Sequence, residues 1–270
     1  MENIILPTKI EIKEGETPNE GILTVEPCQP GYGVMLGNSL RRILLSSLPG
    51  AAVTAVKIKG VQHEFSTIPN VKEDVLEIIL NLKLLRLKIH TDETVRLKLY
   101  AKGKKEVRAK DITTPAEVEI VNPDLLIATL TSPDAELDME IFVNRGRGYV
   151  PTEEREKAGM EIGVIAIDAL YNPVRNVAFR IEPVRLGRIT NYDKLILTVE
   201  VDGSISPLQA IVQSVKIILD HYNLILKELI PKLEEEESKI KGEKEKKVKK
   251  EKKEEVKKEK KAKKEAKKKK

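Results

Sequence analysis

Three glycines, Gly31-x-Gly33-x-x-x-Gly37, stand at the mouth of an apolar periodic run, where backbone amides could approach a phosphate. The spacing is one residue too long for the dinucleotide fingerprint, and no Gly-Lys-Ser/Thr follows to make a P-loop. Glycines that permit a tight entry into a helix are the expected reading. Arg145-Gly-Arg147-Gly148 offers two guanidinium groups in a turn, a pattern suited to capping a hairpin or meeting a partner. His63, His90 and His221 lack partners at ligand spacing, and the single cysteine, Cys28, excludes a disulfide framework and a Cys/His zinc site. Ser46 and Ser47 lie inside a helical run with no base in register. The carboxylates from Asp134 to Glu140 alternate as on a strand and are expected to face water, and no aspartates cluster as a two-metal site needs. On chemistry alone the expectation is a binding or scaffolding protein, with no catalytic residues, cofactor or metal of its own.

Such a protein must present surfaces, so charge and patterning carry the next inference. The chain has 270 residues, 40% hydrophobic and 3% aromatic with no Trp, which supplies a core but few rings for stacking on bases or sugars. No run of ~18 apolar residues and no leader pattern is found, so a soluble, reducing, intracellular setting without membrane contact is expected. The net charge of +5 is a sum of two opposed parts. Residues 239–270 hold 19 Lys against 7 Glu, a net of +12, while the other 238 residues carry 29 basic and 36 acidic side chains, a net of −7. The Lys-rich run has too little apolar surface to offset its ordering entropy and is expected to be solvated. Phosphate attraction through counterion release and a solubilising extension both remain open for it.

The acidic body reads as mixed α and β. Apolar alternation over 9–12 and 21–25 predicts a strand pair. Leu36, Leu40, Ile43, Leu44 and Leu48 fall at helical spacing, with Asn38 or Ser39 able to cap and Pro49-Gly50 ending the run. A strand is predicted over 53–58. A second helix is predicted from Asn70, with Glu73 three residues on as in a capping box and Val75, Leu76, Ile79 and Leu82 as its stripe. Short strands follow to about 143, then at 163–167, 177–181 and 194–201. The last element begins at Ser206-Pro207 and carries Leu208, Ile211, Val212, Val215, Leu219, Tyr222 and Leu226 to about Ile230, a rod of roughly 36 Å at ~1.5 Å per residue. Ile217, Ile218, Leu224 and Ile225 widen its apolar stripe beyond one face. Such a helix is central to the core or covered by a second copy of the chain, and its place at the end of the body favours the second copy.

Residues 31–50, Gly-Tyr-Gly-Val-Met-Leu-Gly-Asn-Ser-Leu-Arg-Arg-Ile-Leu-Leu-Ser-Ser-Leu-Pro-Gly, closely resemble the signature of the alpha subunit of bacterial-type DNA-directed RNA polymerase. Four further stretches agree in order: Gly60-Val-Gln-His-Glu-Phe-Ser-Thr, Asp74-Val-Leu-Glu-Ile-Ile-Leu-Asn-Leu-Lys83, Arg145-Gly-Arg-Gly-Tyr-Val-Pro151 and Asp193-Lys-Leu. The likeness spans roughly residues 5–232, and five separated motifs in one order make it specific.

The resemblance implies an α+β fold of two subdomains. Residues 1–52 with 174–233 form a helix-and-sheet dimerisation subdomain, a mostly β subdomain of 53–173 is inserted into it, and 234–270 form the charged tail. It implies a homodimer built on Leu36, Leu40, Ile43 and Leu44 of the first helix and Leu208, Ile211, Val212, Val215, Leu219, Tyr222 and Leu226 of the last. On that platform the beta and beta-prime subunits assemble, with omega and sigma as members of the complex. Arg42, with Arg41 and Asn38 beside it, matches the beta-contact positions; Lys83 and Ile167 match positions on the beta-prime side; the Arg145–Pro151 turn is a further candidate contact. The family usually continues into a helical C-terminal domain that binds upstream DNA. The Lys-rich run occupies that place here, so any promoter contact is expected through the tail. A free-standing nucleic-acid-binding protein is the rival class, but the body is acidic and shows no groove-entering helix rich in Arg.

Overall fold

The structure is a computed structural model that describes residues 4–155, 161, 163–186 and 189–233. The Lys-rich run expected to be solvated lies outside the described residues. In chain order the elements are β1 (Lys9–Glu14), β2 (Glu20–Cys28), α1 (Tyr32–Ser46), β3 (Pro49–Ile58), α2 (Val75–Lys83), β4 (Leu87–Ile89), β5 (Val95–Lys102), β6 (Lys105–Arg108) and β7 (Ile112–Thr113). They continue with β8 (Val118–Ile120), β9 (Leu126–Leu130), β10 (Glu136–Arg147), β11 (Tyr149–Val150), β12 (Val164–Ala166), β13 (Ala169–Leu170), β14 (Val174–Leu186) and β15 (Ile189–Val201). A last helix, α3, spans 207–233. The fold class is α+β, as expected. The chain divides into two units, Met1–Lys216 and Ile217–Lys270.

Two antiparallel sheets organise the first unit. One has the order β1-β2-β15-β14, so strands from the start of the chain pair with strands about 170 residues later. The other has the order β12-β3-β10-β5-β7 and comes entirely from the intervening residues. Its inward alternation (Leu97, Leu99, Leu137, Met139, Ile141) joins Ile78, Ile79 and Leu82 of α2 in one buried cluster. The expected boundary at 52/53 falls inside β3, which runs unbroken from Pro49 to Ile58. At that crossing Gly50 and Gly146 are directly opposed on β3 and β10. The Tyr171 ring packs against Gly146, where a Cβ would lie 2.6 Å from it, and the Tyr171 hydroxyl donates to Asn144 Oδ1 at 2.7 Å.

Helix α1 packs on β14 and β15 through Gly33, Gly37, Leu40 and Leu44. It begins at Tyr32, four residues before the first apolar position of the predicted stripe, and it ends at Ser46. Neither Asn38 nor Ser39 caps it, because both lie within the helix. Gly31, at φ 85°, turns the chain into it, and the cap comes from a neighbouring strand. Asp193 on β15 accepts from the amides of Gly31 (2.8 Å) and Gly33 (3.2 Å). The amides that a phosphate would need are thus already held by a carboxylate, and the nucleotide reading of this loop is excluded.

Helix α2 also departs from its prediction. Asp74 caps it, accepting from the Glu77 amide at 2.7 Å. Glu73 instead reaches Thr129, accepting from its amide at 2.6 Å and from its hydroxyl at 2.9 Å. Asn70 adopts the left-handed conformation at φ 60° ahead of the helix. The buried stripe is Val75, Ile78, Ile79 and Leu82, with Leu76 on the exposed side. Helix α3 begins as predicted. Ser206 Oγ accepts from the Gln209 amide at 3.2 Å and Gln209 Oε1 accepts from the Ser206 amide at 3.0 Å, a reciprocal capping box.

Candidate assembly surfaces

The outward face of α1 gathers the first group of expected site residues. Asn38, Arg41 and Arg42 are exposed and lie one helical turn apart, opposite the buried Gly33, Gly37, Leu40 and Leu44. Arg41 Nε donates to the Val177 carbonyl at 3.1 Å, which fixes its side chain along β14. Among the described residues the Arg42 guanidinium has no hydrogen-bonded or ionic partner, so its planar fork is free to accept a bidentate carboxylate. Val34 and Leu45 flank these polar groups and are exposed. Ser46 Oγ donates to the Arg42 carbonyl at 2.7 Å and meets Ser47, so both hydroxyls serve the helix end rather than chemistry.

A second patch forms at the end of α2. Leu76, Leu80 and Leu84 are exposed at four-residue spacing. Beside them, Lys83 Nζ donates to Asp168 Oδ2 at 2.9 Å, and Asp168 Oδ1 accepts from the Thr152 amide at 3.0 Å. Lys83 and that amide hold the Asp168 carboxyl below the usual carboxylate range. Ile167, the other residue expected on the beta-prime side, lies inside. It is 1% exposed within the sheet core and its amide donates to the Thr54 carbonyl at 2.8 Å, so its side chain has no surface to offer a partner. The surface at this place belongs to its neighbour Asp168, which the sequence reading did not single out.

The third surface is α3. Leu208, Val212, Val215, Leu219, Tyr222, Leu226, Leu229 and Leu233 repeat at alternating four- and three-residue steps, and all are exposed, from 39% at Val215 to 61% at Tyr222. Every residue from 219 to 233 is exposed. Leu224, Ile225 and Ile230 lie outside that seam and are exposed as well. Ile211 stands apart from the rest of the expected α3 set: it is buried, as are Ala210 and Ser214. On α1, Leu40 and Leu44 are likewise buried in the chain's own core, and Leu36 and Ile43 are half-buried.

Elsewhere the charged side chains are engaged mainly with one another. Arg145 lies near the end of β10 and pairs with Asp92 at 3.0 Å, and the turn that follows the strand depends on Gly148 at φ 65°. The carboxylates expected to face water are partly engaged across strands, Glu136 with Lys59 and Glu140 with Arg96. A cavity of about 460 Å³ lies over Lys57, Lys59, Gln62, Asp138 and Glu140, with Lys57 paired to Glu161 at its rim. Among the described residues no three His, Cys, Asp or Glu are grouped to hold a metal ion, and no helix is long and apolar enough to cross a membrane.

Comparison with known proteins gives these surfaces a context. The family model described as RNA polymerase Rpb3/RpoA insert domain matches residues 56–172, the stretch that contributes α2 and all of the five-stranded sheet but the first part of β3. That places the middle of the chain in a class of polymerase-subunit domains. The chain is 50% identical over 242 residues to the DNA-directed RNA polymerase subunit alpha of Alkaliphilus oremlandii, covering 86% of this chain and 76% of that protein. Against the subunit alpha of Carboxydothermus hydrogenoformans it is 52% identical over 218 residues, 81% and 69% of the two chains. Against that of Symbiobacterium thermophilum it is 54% identical over 211 residues, 78% and 67% of the two. The chain belongs to the family of alpha subunits of DNA-directed RNA polymerase, the transcribing nucleotidyltransferase complex.

Proposed function

We propose that this alpha subunit contributes no catalytic residue or cofactor of its own and acts in the cytosol as a homodimeric platform for the larger chains. The uncovered seam of α3 carries the reading. Covering one such side chain contributes about 1.5–3 kcal/mol, and a second copy presents the same seam in return. The interface we assign uses Leu208, Val212, Val215, Leu219, Tyr222 and Leu226, extended by Leu229 and Leu233, together with Leu36 and Ile43 of α1. Arg42, supported by Arg41 and Asn38, is assigned to the beta subunit. Lys83, held by Asp168 beside Leu76, Leu80 and Leu84, is assigned to the beta-prime side. Omega and sigma join as members of the complex. The middle of the chain then acts as a subdomain of about residues 53–173 inserted into a dimerisation subdomain. The Lys-rich run 239–270 is assigned to sequence-independent attraction of promoter DNA, on the strength of its +12 charge beside a body of −7.

The test is to tag the chain in its own cells, purify it at moderate salt, and identify and weigh what accompanies it. Two copies with two very large chains and nucleotide-polymerising activity are expected. A monomer carrying only nucleic acid, lost with the tail, would overturn the reading.

A further inference from the structure

Between α2 and β4 the chain carries a charge that burial alone does not explain. The Arg86 side chain is 11% exposed and lies opposite Asp202, whose side chain is 7% exposed, on the turn between β15 and α3. Nε and Oδ2 are 3.6 Å apart, beyond hydrogen-bonding distance, and Nε has no hydrogen-bond partner. Desolvation lowers the guanidinium pKa, Asp202 opposes that shift, and the like charge of Arg175 adds to it. A buried pair with this geometry adds little to stability, because desolvation consumes most of the Coulombic gain. What separation would cost is larger: pulled apart, either segment would leave a buried charge without its counter-charge.

Both ends of the pair are rigidly held. The Arg86 amide donates to Asn122 Oδ1 at 2.8 Å, Asn122 Nδ2 donates to the Leu84 carbonyl at 3.0 Å, and the Val121 amide donates to the Arg86 carbonyl at 2.9 Å. This knot begins one residue after Lys83, the last residue of α2. On the other side the Asp202 amide donates to the Pro173 carbonyl at 2.9 Å, and Asp202 Oδ1 accepts from the Ser204 amide at 2.8 Å and its hydroxyl at 2.5 Å. Gly203, at φ 91°, brings that turn against Val121. Arg86 is thus anchored to α2 and the inserted strands, and Asp202 to the four-stranded sheet and the start of α3.

We propose that the Arg86–Asp202 pair is an orientation lock: a positioning pair that sets α2 and its Lys83–Asp168 patch against the four-stranded sheet, so that the beta-prime-side surface is presented at a fixed angle to the Arg42 surface on α1. The lock rests on the function proposed above.

The experiment replaces both charges by uncharged groups of similar size in the full chain, Arg86→Met with Asp202→Asn, and reconstitutes the variant with purified beta and then beta-prime. Because the intact pair adds little to stability, the double variant is expected to remain dimeric and to melt within about 5 °C of the parent. Beta uptake is expected to be unchanged and beta-prime uptake to fall roughly tenfold. Unchanged uptake of both subunits, or an equal loss of both, overturns the lock. Should the double variant not fold, amide exchange in Asp202→Asn decides. Roughly tenfold faster exchange confined to the Val121 and Asp202 amides supports the lock, and parental protection there overturns it. If the parent chain takes up neither large subunit, the proposed function fails on its own, and the same exchange measurement still decides whether the pair holds the seam.

Discussion

Lys83 and Asp168 show how one half-buried charge acquires a definite direction. The ammonium is held by a carboxylate that also receives the Thr152 amide, so neither side chain is free to wander over the leucines beside it. The Asp168 carboxyl titrates below the ordinary range, with Lys83 the largest cause and the Thr152 amide next. A depressed carboxylate contributes stability that is present above its unfolded pKa of ~4 and is lost as pH falls through its folded value. Asp168→Asn is therefore expected to cost about 0.5–1.5 kcal/mol near neutral pH. The gap between variant and parent should close as pH is lowered from about 5 to about 2. Urea unfolding across that range measures it, and a gap independent of pH would contradict the assignment. The lysine was legible in the sequence as a position matching a family motif. Its partner was not, because Lys83 and Asp168 are 85 residues apart and no local spacing joins them.

At the scale of elements, α1 is set by its glycines rather than its leucines. Gly33 and Gly37 bring the helix onto β14 and β15 so closely that a Cβ at Gly37 would lie 2.7 Å from the Phe179 ring and 2.9 Å from Leu195. Gly37→Ala gains about 1 kcal/mol of helix propensity, yet overpacking costs about 1–3 kcal/mol. Net destabilisation is expected, read as a lower denaturant midpoint; a stabilised variant would show that the helix can lift off the sheet without penalty. The periodicity of Leu36, Leu40 and Leu44 identified this helix, but its start could not be read locally. The capping carboxylate belongs to Asp193, 162 residues from Gly31. For α2 the same difficulty is smaller: both Asn70 and Asp74 are good caps, and the choice fell to Asp74 because Glu73 is drawn away to Thr129.

At the scale of the molecule, charge is separated along the chain. On the reading proposed for the run of net +12, DNA is met through it while the acidic body, at −7, is held off the phosphates. Deleting residues 239–270 is expected to weaken promoter binding by the assembled polymerase and to flatten its salt dependence, since each neutralised phosphate contributes ~0.9 to the slope of log K against log salt. Binding titrations at several salt concentrations check this, and an unchanged slope would leave the run with a solubilising part only.

The amino-acid sequence by itself determined the α+β class, the strand pair at the start, the three helices, the acidic body with its basic run, and the family. These rest on local periodicity, composition and ordered motifs, which need no knowledge of contacts. Tertiary structure alone decided that Asp193 caps α1, that Asp168 holds Lys83, that Ile167 is core, and that Leu40, Leu44 and Ile211 are buried while the α3 seam stays open. Arg86 and Asp202 belong with these. Each depends on which residues distant in sequence share a buried or exposed place, and the folded pairing of strands, not the spacing of residue types, sets that.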